Sequence, residues 1–420
     1  MPTAMGAKTA SPAAYAQTSL AVANLRGVFI LILVSFHACL AYLGSTAGPA
    51  ASFDQPPFQW LAFPIVDSRR FYGFDLYCAW EDVHVMALMF FLSGLFVPSS
   101  LRRKGAARFL ADRMLRLGPP FLFSALLLTP IALYPVFRGV NPQASVVDYI
   151  AAYRSLPFLP NGPAWFLWLL LAVSIVAGVL YAAAPATLDA LAALAVGAHL
   201  RPRRFLLTLA LAATLAYVPL ALVFGPFDWL ERGPFSFQLS RPLLYLVYFL
   251  AGASVGAAGL GGGLLAPDGA LARNWRRLAV LSPLMLFVWM GLTGVTMTYP
   301  DFAPLPMRAL SAFAYAGASV AGVMLLMAAS TRFLAQRIGW LEPLSRNALG
   351  IFVLHYAPLV WMQYLLLDAP LPAVLKAVIV FAVVLPLSLA TAAAMTRLGW
   401  LARLIGEDAR AAAPEQTVKA

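Results

Sequence analysis

Ten runs of about 20 mostly apolar residues recur between residues 20 and 396 with no polar block between them, and that recurrence leaves this chain few ways to fold. A run of this length crosses a bilayer as a helix, which satisfies its own backbone hydrogen bonds where no water can. The runs cover 20 to 43, 80 to 100, 117 to 137, 165 to 184, 205 to 224, 241 to 260, 278 to 298, 308 to 329, 345 to 367 and 373 to 396. The expected fold is all-α, a polytopic transmembrane helix bundle of about ten helices. One membrane domain at 20–404 is flanked by a short segment at 1–19 and a polar tail at 405–420. Only 11% of residues are charged, against roughly 25% in a soluble domain. Leu20 to Leu43 is long enough to span, and no small-residue cleavage site follows it cleanly, so it reads as a retained helix rather than a secretory signal.

A net charge of +12 raises the question of nucleic acid, and the placement of the cations answers it. They sit between apolar runs and alternate in density. With the N-terminus in the cytoplasm, 20 of the 29 Lys and Arg fall on the cytoplasmic side and eight on the other, while Arg26 lies at the mouth of the first run. Both termini are therefore expected to be cytoplasmic, the lipid bilayer is the expected partner, and no nucleic acid is expected. Cys39 and Cys78 are too few for a disulfide framework, and four scattered histidines without H-x-x-H spacing give no reason to expect a metal site.

The connections at 44–79 and 138–164 are long and rich in proline, with Pro49, Pro56, Pro57, Pro142, Pro157, Pro160 and Pro163, and read as ordered loops on the outer side. Gly259 to Gly263 lacks the G-x-G-x-x-G spacing and the preceding strand of a nucleotide cradle, so it reads as a turn. Gly252 and Gly256 make a small-x-x-x-small pair suited to helix packing.

An ionisable side chain inside a span costs roughly 2.5 to 3.5 kcal/mol, so each one found there is a functional candidate. Arg26 and His37 are eleven residues apart on the first helix. That is three turns plus about 20°, so they share one face, with about 16 Å of rise between them. A guanidinium near the cytoplasm and an imidazole deep in the membrane suit a long anionic donor that places its reactive end well inside the protein. Arg holds phosphate through bidentate hydrogen bonds, and a neutral His can take a proton from a hydroxyl. The plainer alternative is an Arg26 that snorkels to the interface and a His37 that only packs. Arg113 and Arg116, at i and i+3, would form a second phosphate clamp on the same side. Arg102, Arg103, Lys104 and Arg108 read as ordinary positive-inside charge.

Leu25-Arg26-Gly27 through His37 with ten residues between Arg and His, Phe90-Phe91-Leu92-Ser93-Gly94, Arg113-x-x-Arg116, Trp165-Phe166-Leu167 and Ser345 through His355 together resemble the acyltransferase 3 family of membrane-bound acyl-CoA-dependent O-acyltransferases. The resemblance implies transfer of an acyl group, acetyl or succinyl, from cytoplasmic acyl-CoA to a hydroxyl of an extracytoplasmic or cell-surface glycan, in the plasma (inner) membrane of a bacterium. It implies His37 as the catalytic histidine, Arg26 as its partner in donor binding, Arg113 and Arg116 as the coenzyme A clamp, and Trp165 as a residue lining the site. The chain looks like the stand-alone branch, similar to glucan-modifying succinyltransferases. Acetyl-CoA or succinyl-CoA is then a donor substrate, with no permanently bound cofactor, and the glycan acceptor is the other partner.

Beyond those motifs, Glu81, Asp82 and His84 cluster at the outer start of the second helix, where a carboxylate could orient an imidazole or bind a sugar hydroxyl. They could equally cap that helix. His355 lies at mid-depth and either lines the same cavity or packs. Cys39 points about 200° away from His37, so no thioester relay is expected there. A transporter or flippase of a lipid-linked glycan or small solute would share the composition. No internal repeat is found, however, and Pro219, Pro283, Pro358 and Pro386 do not fall as a symmetric pair. The chain leaves open the acceptor glycan, the acyl group, whether transfer is direct or through an acyl-enzyme, and the oligomeric state.

Overall fold

A computed structural model describes residues 11–45, 64–299 and 303–407. Each of the ten apolar runs is helical. The elements are α1 (Pro12–Cys39), α2 (Gly73–Gly94), α3 (Val97–Phe123), α4 (Thr129–Val140), α5 (Val146–Arg154), α6 (Trp165–Ala183), α7 (Thr187–Ala195), α8 (Pro202–Phe224), β1 (Trp229–Arg232), β2 (Phe235–Gln238), α9 (Pro242–Ala258), α10 (Ala270–Arg273), α11 (Trp275–Thr298), α12 (Leu305–Phe333), α13 (Leu341–Arg346), α14 (Ala348–Leu354), α15 (Tyr356–Leu365), α16 (Ala373–Met395) and α17 (Gly399–Leu404). Among the described residues eight spans are long and apolar enough to cross a bilayer, and α14 with α15 makes a ninth if the bent pair counts as one. The tenth run, α9, is apolar but only 17 residues long.

Local chemistry sets the boundaries. Ser11 caps α1 by accepting from the Ala14 N–H at 3.2 Å, with Pro12 in the first turn. The second helix starts at Gly73, seven residues before the apolar run at 80, and ends at Gly94. The basic stretch that read as a loop is helical: α3 carries it, broken only at Gly105 with φ 73, and a π-helical turn at Ser124–Leu128 joins α3 to α4. The outer connection at 138–164 contains α5, whose Ser145 and Asp148 form a reciprocal capping box. Of the other long connection, Pro49, Pro56 and Pro57 lie outside the described residues.

The α14–α15 span bends by 45° at His355. Pro358 explains the break, because it has no N–H to give the carbonyl of Leu354 four residues earlier. Packing centres on α12, the most buried span, which touches α1, α2, α8 and α11. α2 and α9 approach at backbone contact: a Cβ at Gly94 would overlap the Phe249 carbonyl oxygen, and one at Gly252 or Gly256 would overlap the carbonyl of Phe91 or Leu95. The pair Gly252 and Gly256 is thus a helix-packing device, and 259–265 is a run of turns. At the end opposite the basic residues, Lys376 meets Asp67 at 2.6 Å, both fully buried. The Asp67 N–H donates to the Ala41 carbonyl and Lys376 donates to that of Leu367, which ties this end of α1 to α16. β1 and β2 form an antiparallel hairpin at the same end, with Trp229 opposite Gln238.

Candidate active site

α1 runs unbroken for 28 residues and carries the site along one side. Near its basic end a cavity of about 600 Å³ is lined by Arg26, Arg103, Lys104, Arg113, Arg116 and Arg346, with Asp112 and Glu407 as its carboxylates. Among the described residues six cations face two anions here, a lining suited to a polyanion. Two guanidiniums lie over aromatic rings, Arg26 at 4.9 Å from the Phe96 centroid and Arg113 at 5.3 Å from that of Phe109. Part of the remaining charge is internally matched: Lys104 pairs with Asp112, and Arg346 with Glu342 at 2.6 Å. The helical form of α3 explains how Arg113 and Arg116 line the same cavity.

Further along α1 a second cavity, of about 240 Å³, is lined by His37 together with Glu81, Asp82, Trp165, Trp229, Gln238, Arg241, Tyr245 and Trp289. The Nδ1 of His37 lies 2.9 Å from the Leu33 carbonyl one turn back. A carbonyl only accepts, so this contact places the proton on Nδ1 and leaves the Nε2 lone pair free to act as a base. Gln363 donates to the His37 carbonyl at 2.9 Å and steadies the end of the helix. Asp82 is held in a bidentate pair by Arg241, at 2.6 and 2.7 Å, with the arginine only 1% exposed. Glu81, at 3% exposure, lines the same cavity beside them. Tyr245 stacks on Trp165 at 6.0 Å, and Trp229 meets Trp165 edge-on at 5.8 Å. Among the described residues, the buried Trp229 indole N–H and Arg241 Nε have no hydrogen-bond partner. Both residues line this cavity, whose walls are largely aromatic.

Of the residues singled out from the sequence, Arg26, Arg113 and Arg116 share the basic chamber, and His37, Glu81, Asp82 and Trp165 share the second. His84 and His355 line neither. His84 is packed against Gly322, with its ring nitrogens 2.6 Å from the Trp80 carbonyl and 3.1 Å from that of Ala318, so it is a helix-contact residue turned away from the cavity. His355 sits directly behind His37, with ring centroids 4.9 Å apart, at the break in the α14–α15 span.

Sequence reasoning missed Arg241, which looked like an outer-loop cation, and also Tyr245, Gln238 and Glu407. A signal existed for Arg241: it opens an apolar run, where a charge is costly and calls for a partner. In the motif Phe90 to Gly94, the two phenylalanines are fully buried, Ser93 lines the basic chamber and Gly94 makes the close contact with α9.

The model of the acyltransferase 3 family, described as an acyltransferase domain, matches residues 20–393, which is nearly all of the membrane bundle. No curated protein and no solved structure matches the chain. A basic chamber and a histidine chamber strung along one helix, inside a bundle matched by that model from its first span to its last, identify this chain as a member of the acyltransferase 3 family and a membrane acyltransferase.

Proposed function

We propose that the protein moves an acyl group from cytoplasmic acyl-CoA to a hydroxyl of an extracytoplasmic or cell-surface glycan, in the plasma membrane of a bacterium. The observation that carries this reading is the position of Arg26 and His37 on one continuous helix, the first in a polycationic cavity and the second in a cavity with aromatic walls. The excess of Lys and Arg at the Arg26 end supports a cytoplasmic position for that end. Arg26, Arg113 and Arg116 hold the phosphates of the donor, and the pantetheine arm runs along α1 toward His37. His37 Nε2 takes the proton of the acceptor hydroxyl as its oxygen attacks the thioester carbonyl. The C–S bond then breaks, and the imidazolium returns the proton to the departing coenzyme A sulfur. Atoms and charge balance without an acyl-enzyme. Glu81 and the Asp82–Arg241 pair offer hydrogen bonds to the sugar ring, and Trp165 offers its face.

Purified protein in detergent is expected to release coenzyme A from acyl-CoA, and His37→Ala to lower that rate by about 10²- to 10⁴-fold with folding intact. Arg113→Ala with Arg116→Ala should raise the KM for the donor far more than it lowers kcat, since a clamp on remote phosphates acts alike on ground and transition states. Undiminished turnover in His37→Ala overturns the assignment. Mass spectrometry of surface glycans from cells with and without the protein identifies the acceptor.

A further inference from the structure

Among the described residues the two chambers share only two lining residues, Phe166 on α6 and Phe352 on α14. Their rings meet edge to face at 5.6 Å, and Phe166 also packs on Phe90 at 5.2 Å. The boundary continues on the two flanking helices. On α1, Ile30 lines the basic chamber and Leu33 the histidine chamber; on α2, Met89 lines the first and Met86 the second. Residues three apart on a helix are separated by about 4.5 Å of rise, so a layer one helical turn thick divides the chambers. Every side chain in it is apolar, and the methionines are the ones most able to give way.

Resting on the acyl-transfer reading, we infer that this Phe166–Phe352 layer is the constriction through which the donor's acyl end reaches His37, and that it selects short, uncharged acyl groups. The acyl group is the part of the donor beyond the sulfur, so all of it must pass the layer before the thioester carbonyl lies beside His37. A succinyl carboxylate would have to cross an entirely apolar ring of side chains. On the far side it would find no unmatched cation, only neutral donors such as the Trp229 indole N–H. The arginine there, Arg241, is already matched two-to-two by Asp82, and Glu81 offers no cation in either protonation state. Acetyl and propionyl groups carry no such penalty. Phe352 sits on the short helix that ends at the His355 break, which makes it the wall with the least continuous backbone behind it.

Two experiments on the full-length protein test this. In the first, coenzyme A release is followed with acetyl-, propionyl-, butyryl- and succinyl-CoA. Acetyl and propionyl donors should be used, with succinyl lower in kcat/KM by about 10²-fold. Phe166→Leu with Phe352→Leu should raise butyryl relative to acetyl by about 10-fold, from the space that two lost rings provide. Parity of succinyl with acetyl, or an unmoved butyryl ratio in the double variant, overturns the inference. In the second, Ala79→Cys, placed in the histidine chamber of a Cys39→Ala, Cys78→Ala background, is exposed to a membrane-impermeant maleimide from the Arg26 face. Slow labelling that accelerates in the double variant supports a seal, and equal rates overturn it. Consumption of none of the four thioesters would overturn the transfer reading and the acyl selectivity together, while the labelling would still judge the seal.

Discussion

His37 and His355 stand 4.9 Å apart, centroid to centroid, each with Nδ1 held on a backbone carbonyl of its own span, at 2.9 Å to Leu33 and 2.7 Å to Phe352. The His355 Nε2 is buried and has no partner among the described residues, so its lone pair is an unspent acceptor behind His37. When His37 takes a proton during the reaction, that neighbour offers the new imidazolium a dipole that no apolar residue would supply. His355→Phe should therefore lower kcat by about 10-fold, a fraction of the worth of one preorganised donor or dipole, with the donor KM nearly unchanged. His355→Gln should restore part of the rate. A change confined to KM, or equal losses in both variants, would make His355 a packing residue.

The Asp82–Arg241 pair joins α2 to the start of α9 across 159 positions of sequence. Arg241 is 1% exposed and Asp82 30%, so removing the carboxylate strands a guanidinium inside the bundle. Asp82→Asn should destabilise the protein by about 3 kcal/mol, the low end for a broken buried pair because Asp82 retains some access to water. Asp82→Leu combined with Arg241→Met should recover most of that loss, since the uncompensated charge is gone. Melting in detergent followed by tryptophan fluorescence measures both, and a double variant no more stable than the single one would count against the pair's role.

The helical character of all ten apolar runs was legible because the bilayer imposes a length that few other structures imitate, although among the described residues only eight, or nine with the bent pair, are long enough to cross. The ends of the runs were less legible. Gly73-Phe74-Asp75 begins α2 seven residues before its apolar run, and Asp75 earns its place by accepting from the Gly44 N–H at 2.8 Å, a contact 31 residues away. The stripe from Arg26 to His37 could be read by counting residues, since helical geometry alone fixes it. For Arg241 and Lys376 a charge in an apolar run signals only that a partner is needed; the distant carboxylate that each meets, Asp82 or Asp67, is encoded in no local pattern. Phe166 and Phe352 fall inside stretches that carry the family resemblance, yet their boundary role was not legible: phenylalanine in a span is ordinary, and only the meeting of α6 with α14 makes these two a boundary.

Two glycines in spans should respond in opposite ways. Gly252 faces the Phe91 carbonyl so closely that any Cβ overlaps backbone, which cannot swing aside as a side chain can. Gly252→Ala is expected to cost about 3 kcal/mol or more, at or above the upper end for overpacking. Gly291 on α11 faces open space, with nothing within 4 Å of where a Cβ would sit, so Gly291→Ala should gain about 0.5 to 1 kcal/mol from restricted unfolded-state freedom. Fluorescence-detected size exclusion after graded heating separates the two, and similar behaviour in both would mean that α2 and α9 do not meet at backbone contact.

The hairpin at the far end carries a pH dependence of its own. Glu231 lies on β1, two residues from Trp229 and therefore on the same strand face, and its Oε1 is buried without a partner among the described residues. Burial pushes its carboxyl up to about 7 from an ordinary value of 4.5. A carboxyl raised on folding binds more protons in the folded state than in the unfolded one between those two values, so stability falls with rising pH across that window. Its contribution is fully present below pH 4.5 and is lost as pH passes 7. The melting temperature should thus decline from about pH 4.5 to about 7.5 by more in the parent than in Glu231→Gln, which keeps the shape and removes the titration. Because Trp229 and its cross-strand neighbour Gln238 line the histidine chamber, acceptor KM should rise over the same interval in the parent alone. Parallel pH profiles for the two proteins would show that the hairpin's ionisation is decoupled from both stability and the site.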